Sequence, residues 1–80
     1  MKTVYLVTVE DPDEVILNSI YEYLESAIAK VELLRIKCTK AMAWCRLNDW
    51  KYAEEIVDGL ITLTCYQGEE VIRIQEHKVK

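Results

Sequence analysis

The chain has 80 residues, 51% hydrophobic and 30% charged, with 14 acidic against 10 basic side chains and a net charge of -4. That is enough for one small domain with a thin core, since a chain of this size buries only about 60% of the surface it exposes when unfolded. The apolar content argues against disorder, and two Gly and one Pro exclude collagen-like or low-complexity character. No apolar run reaches the ~20 residues that span a bilayer, and Met1-Lys2-Thr3-Val4-Tyr5 lacks the apolar region of a signal peptide. The expectation is a soluble, cytoplasmic protein without a membrane partner.

Thr3 to Val9 is rich in β-branched and aromatic residues and reads as a strand. It runs into the turn-formers Glu10-Asp11-Pro12-Asp13. Val15 to Tyr21 reads as a second strand, placed to be the antiparallel partner of the first.

From Tyr23 to Leu47 there is no Gly or Pro, and helix formers dominate. Leu24, Ala27, Ile28, Val31, Leu34, Cys38, Ala41, Met42 and Cys45 recur at steps of three and four, one arc of a long helix. This arc is expected to pack on the sheet, with Asn48-Asp49 ending the helix. Tyr52 to Gly59 is ambiguous between helix and strand. The strand is preferred, because Asp58-Gly59 is a favoured two-residue hairpin turn into a strand over Leu60 to Tyr66. After Gln67-Gly68, Val71 to Ile74 continues as a strand into a polar, frayed tail. The expected fold is α+β, an antiparallel sheet of four or five strands (ββαββ or ββαβββ) with one long helix packed across it, in a single domain spanning 1–80.

The other side of that helix carries a second apolar stripe. At ~100° per residue, Ala29, Leu33, Ile36, Ala43, Trp44 and Leu47 lie opposite the core arc. One small chain has no second layer to cover it. The stripe therefore points to a homodimer through the long helix or to a foreign partner, unless the 48–58 segment or the late strands fold back over it. The expected partner interface is Leu33, Ile36, Lys37, Lys40, Trp44, Leu47 and Trp50, with the two tryptophans as anchors. Lys30, Lys37 and Lys40 border one edge, and Arg35 and Arg46 flank the other, as a polar rim does. Charge is uneven along the chain: residues 1–29 carry -5, 30–51 carry +4 and 52–80 carry -3. The acidic balance disfavours nucleic acid, which needs a basic footprint.

Catalytic constellations do not emerge. His77 is the one histidine and sits near the end of the chain, a poor mount for a base. Cys38, Cys45 and Cys65 are odd in number and show no CxxC spacing, so they read as reduced, buried thiols and not as zinc ligands or a disulfide framework. Gly59 and Gly68 alone cannot make a phosphate-binding glycine loop. The carboxylates Asp11, Asp13, Glu14, Glu54 and Glu55 lack supporting His or Asn, and read as an acidic surface offered to a basic protein. No catalytic, cofactor or metal residue is therefore assigned, and the chain is not expected to be an enzyme.

The run Val4-Tyr5-Leu6-Val7-Thr8, then Asp13-Glu14-Val15-Ile16, Ile20-Tyr21 and Glu25-Ser26-Ala27-Ile28-Ala29-Lys30-Val31 resembles the start of many short, uncharacterised bacteriophage proteins. It covers about 30 residues, with an echo at Val57-Asp58-Gly59. Tyr23 stands where those proteins often place a Ser or Thr helix cap, so the cap must come from elsewhere. The resemblance implies a phage origin and a protein that inhibits a host or antiviral-defence protein, an anti-CRISPR or similar, by steric occlusion. Two alternatives stand beside it. One is a small-ligand or nucleotide-sequestering homo-oligomer in which Tyr21, Tyr23, Tyr52 or Trp50 stacks on the ligand; the other is a nucleic-acid-binding dimer using Lys30, Lys37 and Lys40.

Overall fold

The computed structural model describes residues 2–11 and 14–79, and Asp11 in its backbone alone. Five strands form one antiparallel sheet, β1 (Lys2–Asp11), β2 (Glu14–Tyr21), β3 (Lys51–Val57), β4 (Leu60–Gln67) and β5 (Glu70–Val79), in the order β2-β1-β5-β4-β3. One helix, α1 (Leu24–Ala41), and a 3-10 turn at Leu47–Asp49 complete the layout. The α+β architecture is the one the sequence implies, with the ambiguous 51–57 segment a strand. Asp58 (φ 54°) and Gly59 (φ 77°) both take positive φ, as a two-residue hairpin turn demands.

Three features differ from expectation. The helix stops at Ala41, because Met42 adopts an extended backbone (φ -110°, ψ 117°), and a turn follows in which the Cys45 N–H donates to the Met42 carbonyl before Arg46 returns to extended backbone. The cause is tertiary: the chain must return from the helix end to the far edge of the sheet. Its route is held by side chains, since the Trp50 indole N–H donates to Thr39 Oγ1 at 3.0 Å and the Thr39 hydroxyl donates to the Arg35 carbonyl at 2.8 Å. Gln67 exchanges two hydrogen bonds with the Arg46 backbone, at 2.8 and 2.7 Å.

The frayed tail is instead the second half of β5, a central strand between β1 and β4. His77 pairs with Val4 within it. Finally, Ile28 belongs to the flank of α1 and not to its buried arc, being 45% exposed.

The registers place Tyr5, Val7 and Val9 of β1, Ile72 and Ile74 of β5, and Leu63 and Cys65 of β4 on the face that α1 covers. Ala27, Val31 and Leu34 of α1 close on them, joined by Cys45 and Trp50. The helix starts without a side-chain cap; the Tyr23 carbonyl accepts the Ala27 N–H at 3.3 Å, and Glu25 and Lys40 sit at the ends that suit the helix dipole.

On the opposite face, Arg73 of β5 donates through its guanidinium to Glu10 and to Thr64 Oγ1. This polar cluster lies beside the buried Thr8, with which Arg73 is in register.

Candidate functional site: an apolar groove beside the helix

A helix is about 10 Å wide, whereas five strands at ~4.8 Å spacing make a sheet about 19 Å across. One helix therefore leaves part of such a face bare. Here α1 packs on β5, β1 and β2, and the uncovered strip lies over β4 and β3.

That strip is a groove of about 450 Å³. Ile28 and Val31 form its helix wall, Leu63, Cys65, Ile72 and Ile74 its floor, and Tyr52 and Ala53 belong to its outer wall on β3. Two carboxylates, Glu32 and Glu54, stand among this apolar lining. Glu32 is paired with Arg35 at 2.7 Å, and that hydrogen bond holds the guanidinium above its ordinary value, against partial burial.

Burial pushes the Cys65 thiol up to about 11, opposed by a hydrogen bond from Tyr52 and by the Arg35 charge. Burial also raises the Tyr52 phenol, with the neighbouring Cys65 adding to it. Both groups are therefore protonated at neutral pH, and Cys65 faces the groove as a thiol rather than as the thiolate that nucleophilic chemistry needs. Cys38 is likewise raised, by burial first and then by Glu70. The arrangement offers a site for apolar groups, with the Glu54 carboxylate and the Glu32–Arg35 ion pair beside it. Among the described residues no group of three or more His, Cys, Asp or Glu is placed to hold a metal ion, and no helix is long and apolar enough to cross a membrane.

The residues expected at a partner interface divide into three places. Leu33 (64% exposed) and Ile36, with Lys37 and Lys40, lie on the outer side of α1. Trp44 and Leu47 fall beyond the helix end, so the predicted continuous helical stripe does not form. Trp44 lies over Gly68 in the turn between β4 and β5, while the Leu47 carbonyl accepts a hydrogen bond from Arg35. Trp50 is not a surface anchor: it is 6% exposed and part of the core, its indole N–H satisfied by Thr39.

The expected acidic surface is also divided. Glu14 begins β2 at one edge of the sheet, while Glu54 and Glu55 lie on β3 at the other, on opposite faces. Asp13 and the side chain of Asp11 lie outside the described residues. Of the aromatic residues proposed to stack on a ligand, Tyr52 alone lines the groove.

Sequence reasoning missed the groove because Ile28, Val31, Leu63 and Cys65 all satisfy core periodicity. The available signal was a mismatch of widths: one helix against four or five strands, with Tyr52, Glu54 and Ile56 alternating on the uncovered edge strand.

No protein-family model matches the chain, and comparison with curated proteins and with solved structures gives no match in either.

Proposed function

We propose that this protein is a non-enzymatic binding protein that takes apolar side chains of another protein into the groove between α1 and the β3/β4 pair, occluding the surface that carries them. The observation that carries this reading is the groove itself, open to solvent and lined by Ile28 and Leu63 above the buried Cys65, Ile72 and Ile74. An exposed apolar channel costs stability in a domain with so thin a core, and such surfaces mark interaction sites. Ile28, half-exposed at its lip, supplies an apolar contact that a monomer does not use. The partner class that agrees with the phage-like opening of the chain is a host or antiviral-defence protein, inhibited by steric occlusion. Glu54, on the rim, favours a partner whose apolar residues are accompanied by Lys or Arg.

A second reading rests on size, because about 450 Å³ is the volume of a small-molecule site. The Glu54 carboxylate on the rim opposes nucleotide phosphates and favours an uncharged or cationic amphiphile. Nucleic-acid binding through Lys30, Lys37 and Lys40 has less behind it, given the net charge of -4.

The test is capture from a host lysate by the wild-type chain and by Ile28→Glu, followed by an activity assay of the captured protein. The reading expects one stoichiometric partner, inhibited by the wild-type chain and lost with Ile28→Glu at unchanged Tm. Equal capture by both chains overturns it, and a thermal shift with small amphiphiles alone supports the second reading.

A further inference from the structure

β3 is an edge strand with a neighbour on one side only, and all seven of its residues are exposed. Its register with β4 runs without interruption from Lys51↔Tyr66 to Val57↔Leu60. The other edge, β2, carries a register shift against β1 between Val7 and Thr8, a bulge of the kind that discourages further pairing. An uninterrupted edge is a template for another strand, and Tyr52 and Ile56, each 64% exposed, stand on it uncovered.

We propose that β3 pairs with β3 of a second copy, antiparallel about a two-fold axis at Ala53, to form a ten-stranded sheet. Charge selects both the occupant and the register. Lys51, Glu54 and Glu55 would blunt the edge against most strands, so a partner strand must answer them in order. An axis at Glu54 or at Glu55 sets that carboxylate against its own copy, and like charges directly opposite are destabilising. An axis at Ala53 sets Lys51 opposite Glu55 of the partner subunit twice and Tyr52 opposite Glu54 of the partner subunit twice. The small Ala53 faces itself at the centre. Among axes through the three central residues of β3 from Ala53 to Glu55, the strand is thus complementary to itself at Ala53 alone.

A two-fold axis perpendicular to the sheet keeps both α1 helices on the same face. The two grooves then adjoin across the paired β3 strands and form one trough bounded by the helices, doubling the apolar surface offered to a partner. The dimer does not depend on that partner, and the measurements that test the two readings are separate.

The test is sedimentation equilibrium of the full chain over a concentration series. The expected mass is twice the 9.4 kDa of one chain. Lys51→Glu should weaken the dimer about tenfold by setting carboxylate against carboxylate. The double swap Lys51→Glu with Glu55→Lys should restore it. Both positions are exposed, so the fold tolerates the changes, and an unchanged far-UV circular dichroism spectrum verifies this. A monomer at every concentration overturns the proposal. So does a dimer indifferent to Lys51→Glu but split by Leu33→Glu, which places the interface on the helix, and so does a double swap that restores nothing.

Discussion

The Trp50 indole N–H donates to the Thr39 hydroxyl at 3.0 Å, joining the residue that precedes β3 to the last turn of α1 across eleven positions of chain. Thr39 Oγ1 is a junction, since it donates to the Arg35 carbonyl and lies 3.8 Å from the Cys45 thiol, which donates to it. This junction fixes the path from the helix to the far sheet edge. Trp50→Phe keeps most of the packing and loses the hydrogen bond, at a cost of about 1 kcal/mol or about 5 °C in Tm. Trp50→Ala should cost about 3 to 5 kcal/mol, because it empties a buried site. A double-mutant cycle of Trp50→Phe with Thr39→Val measures the bond, and additive losses would place the effect in packing alone.

Gly68 and Gly59 both have positive φ, +58° and +77°, but differ in surroundings. A Cβ on Gly59 meets nothing within 4 Å, whereas one on Gly68 meets the Trp44 ring at 3.0 Å. Gly59→Ala should therefore cost only the backbone strain, about 1 kcal/mol. Gly68→Ala carries the same strain and must also displace the ring, for about 2 kcal/mol in all, with a change in tryptophan emission. Denaturant midpoints of the two variants compare the positions directly, and equal losses would mean that Trp44 moves aside freely.

The fold was legible where local pattern and tertiary demand agreed. The hairpin turn at Asp58-Gly59, the two strands it joins and the buried arc Ala27, Val31 and Leu34 follow from turn chemistry and periodicity. The helix end was not legible, because Met42 to Leu47 contains neither Gly nor Pro and keeps the apolar spacing. What ends the helix is the burial of Cys45 and Trp50 and the grip of Gln67 on Arg46, contacts made by residues distant in sequence. The polar run Gln75-Glu76-His77-Lys78 concealed a central strand. It lies beyond the part of the sheet where hydrophobic burial sets composition, and the Glu76 carboxylate there accepts the Ile61 N–H at 3.1 Å. The groove was hidden for a related reason: periodicity tells which side of a strand is apolar, not how far a covering helix reaches.

Arg73 holds the polar cluster on the uncovered face together, contacting Glu10 of β1 and Thr64 of β4, strands on either side of its own. Both side chains of the ion pair are between a fifth and a third exposed, which places it between a weak surface pair and a buried one. Arg73→Met should cost about 1.5 kcal/mol, because Glu10 keeps its charge in a half-buried site and loses its partner. The double variant Arg73→Met with Glu10→Gln should recover part of that loss. Unfolding in urea reads both values, and a single-variant loss below about 0.5 kcal/mol would assign the pair to the surface class.

Cys65 gives the chain a pH dependence at alkaline values. Burial raises its thiol to about 11 in the folded state, whereas the unfolded chain returns it to the ordinary thiol range, about 8.5. Between those values the folded state binds more protons than the unfolded one. Stability from this group is therefore fully present below the unfolded value and is lost as pH rises through that window toward 11. Tyr and Lys side chains titrate nearby in pH, so the contribution is isolated by comparing the wild-type chain with Cys65→Ala. The urea midpoint of the wild-type chain should fall more steeply from about pH 8.5 to pH 11 than that of the variant. The same raised value makes Cys65 slow toward thiol-specific reagents at pH 8 while the chain is folded, and faster in urea. Parallel midpoint curves for the two chains would show that Cys65 ionises as readily in the folded groove as in the open chain.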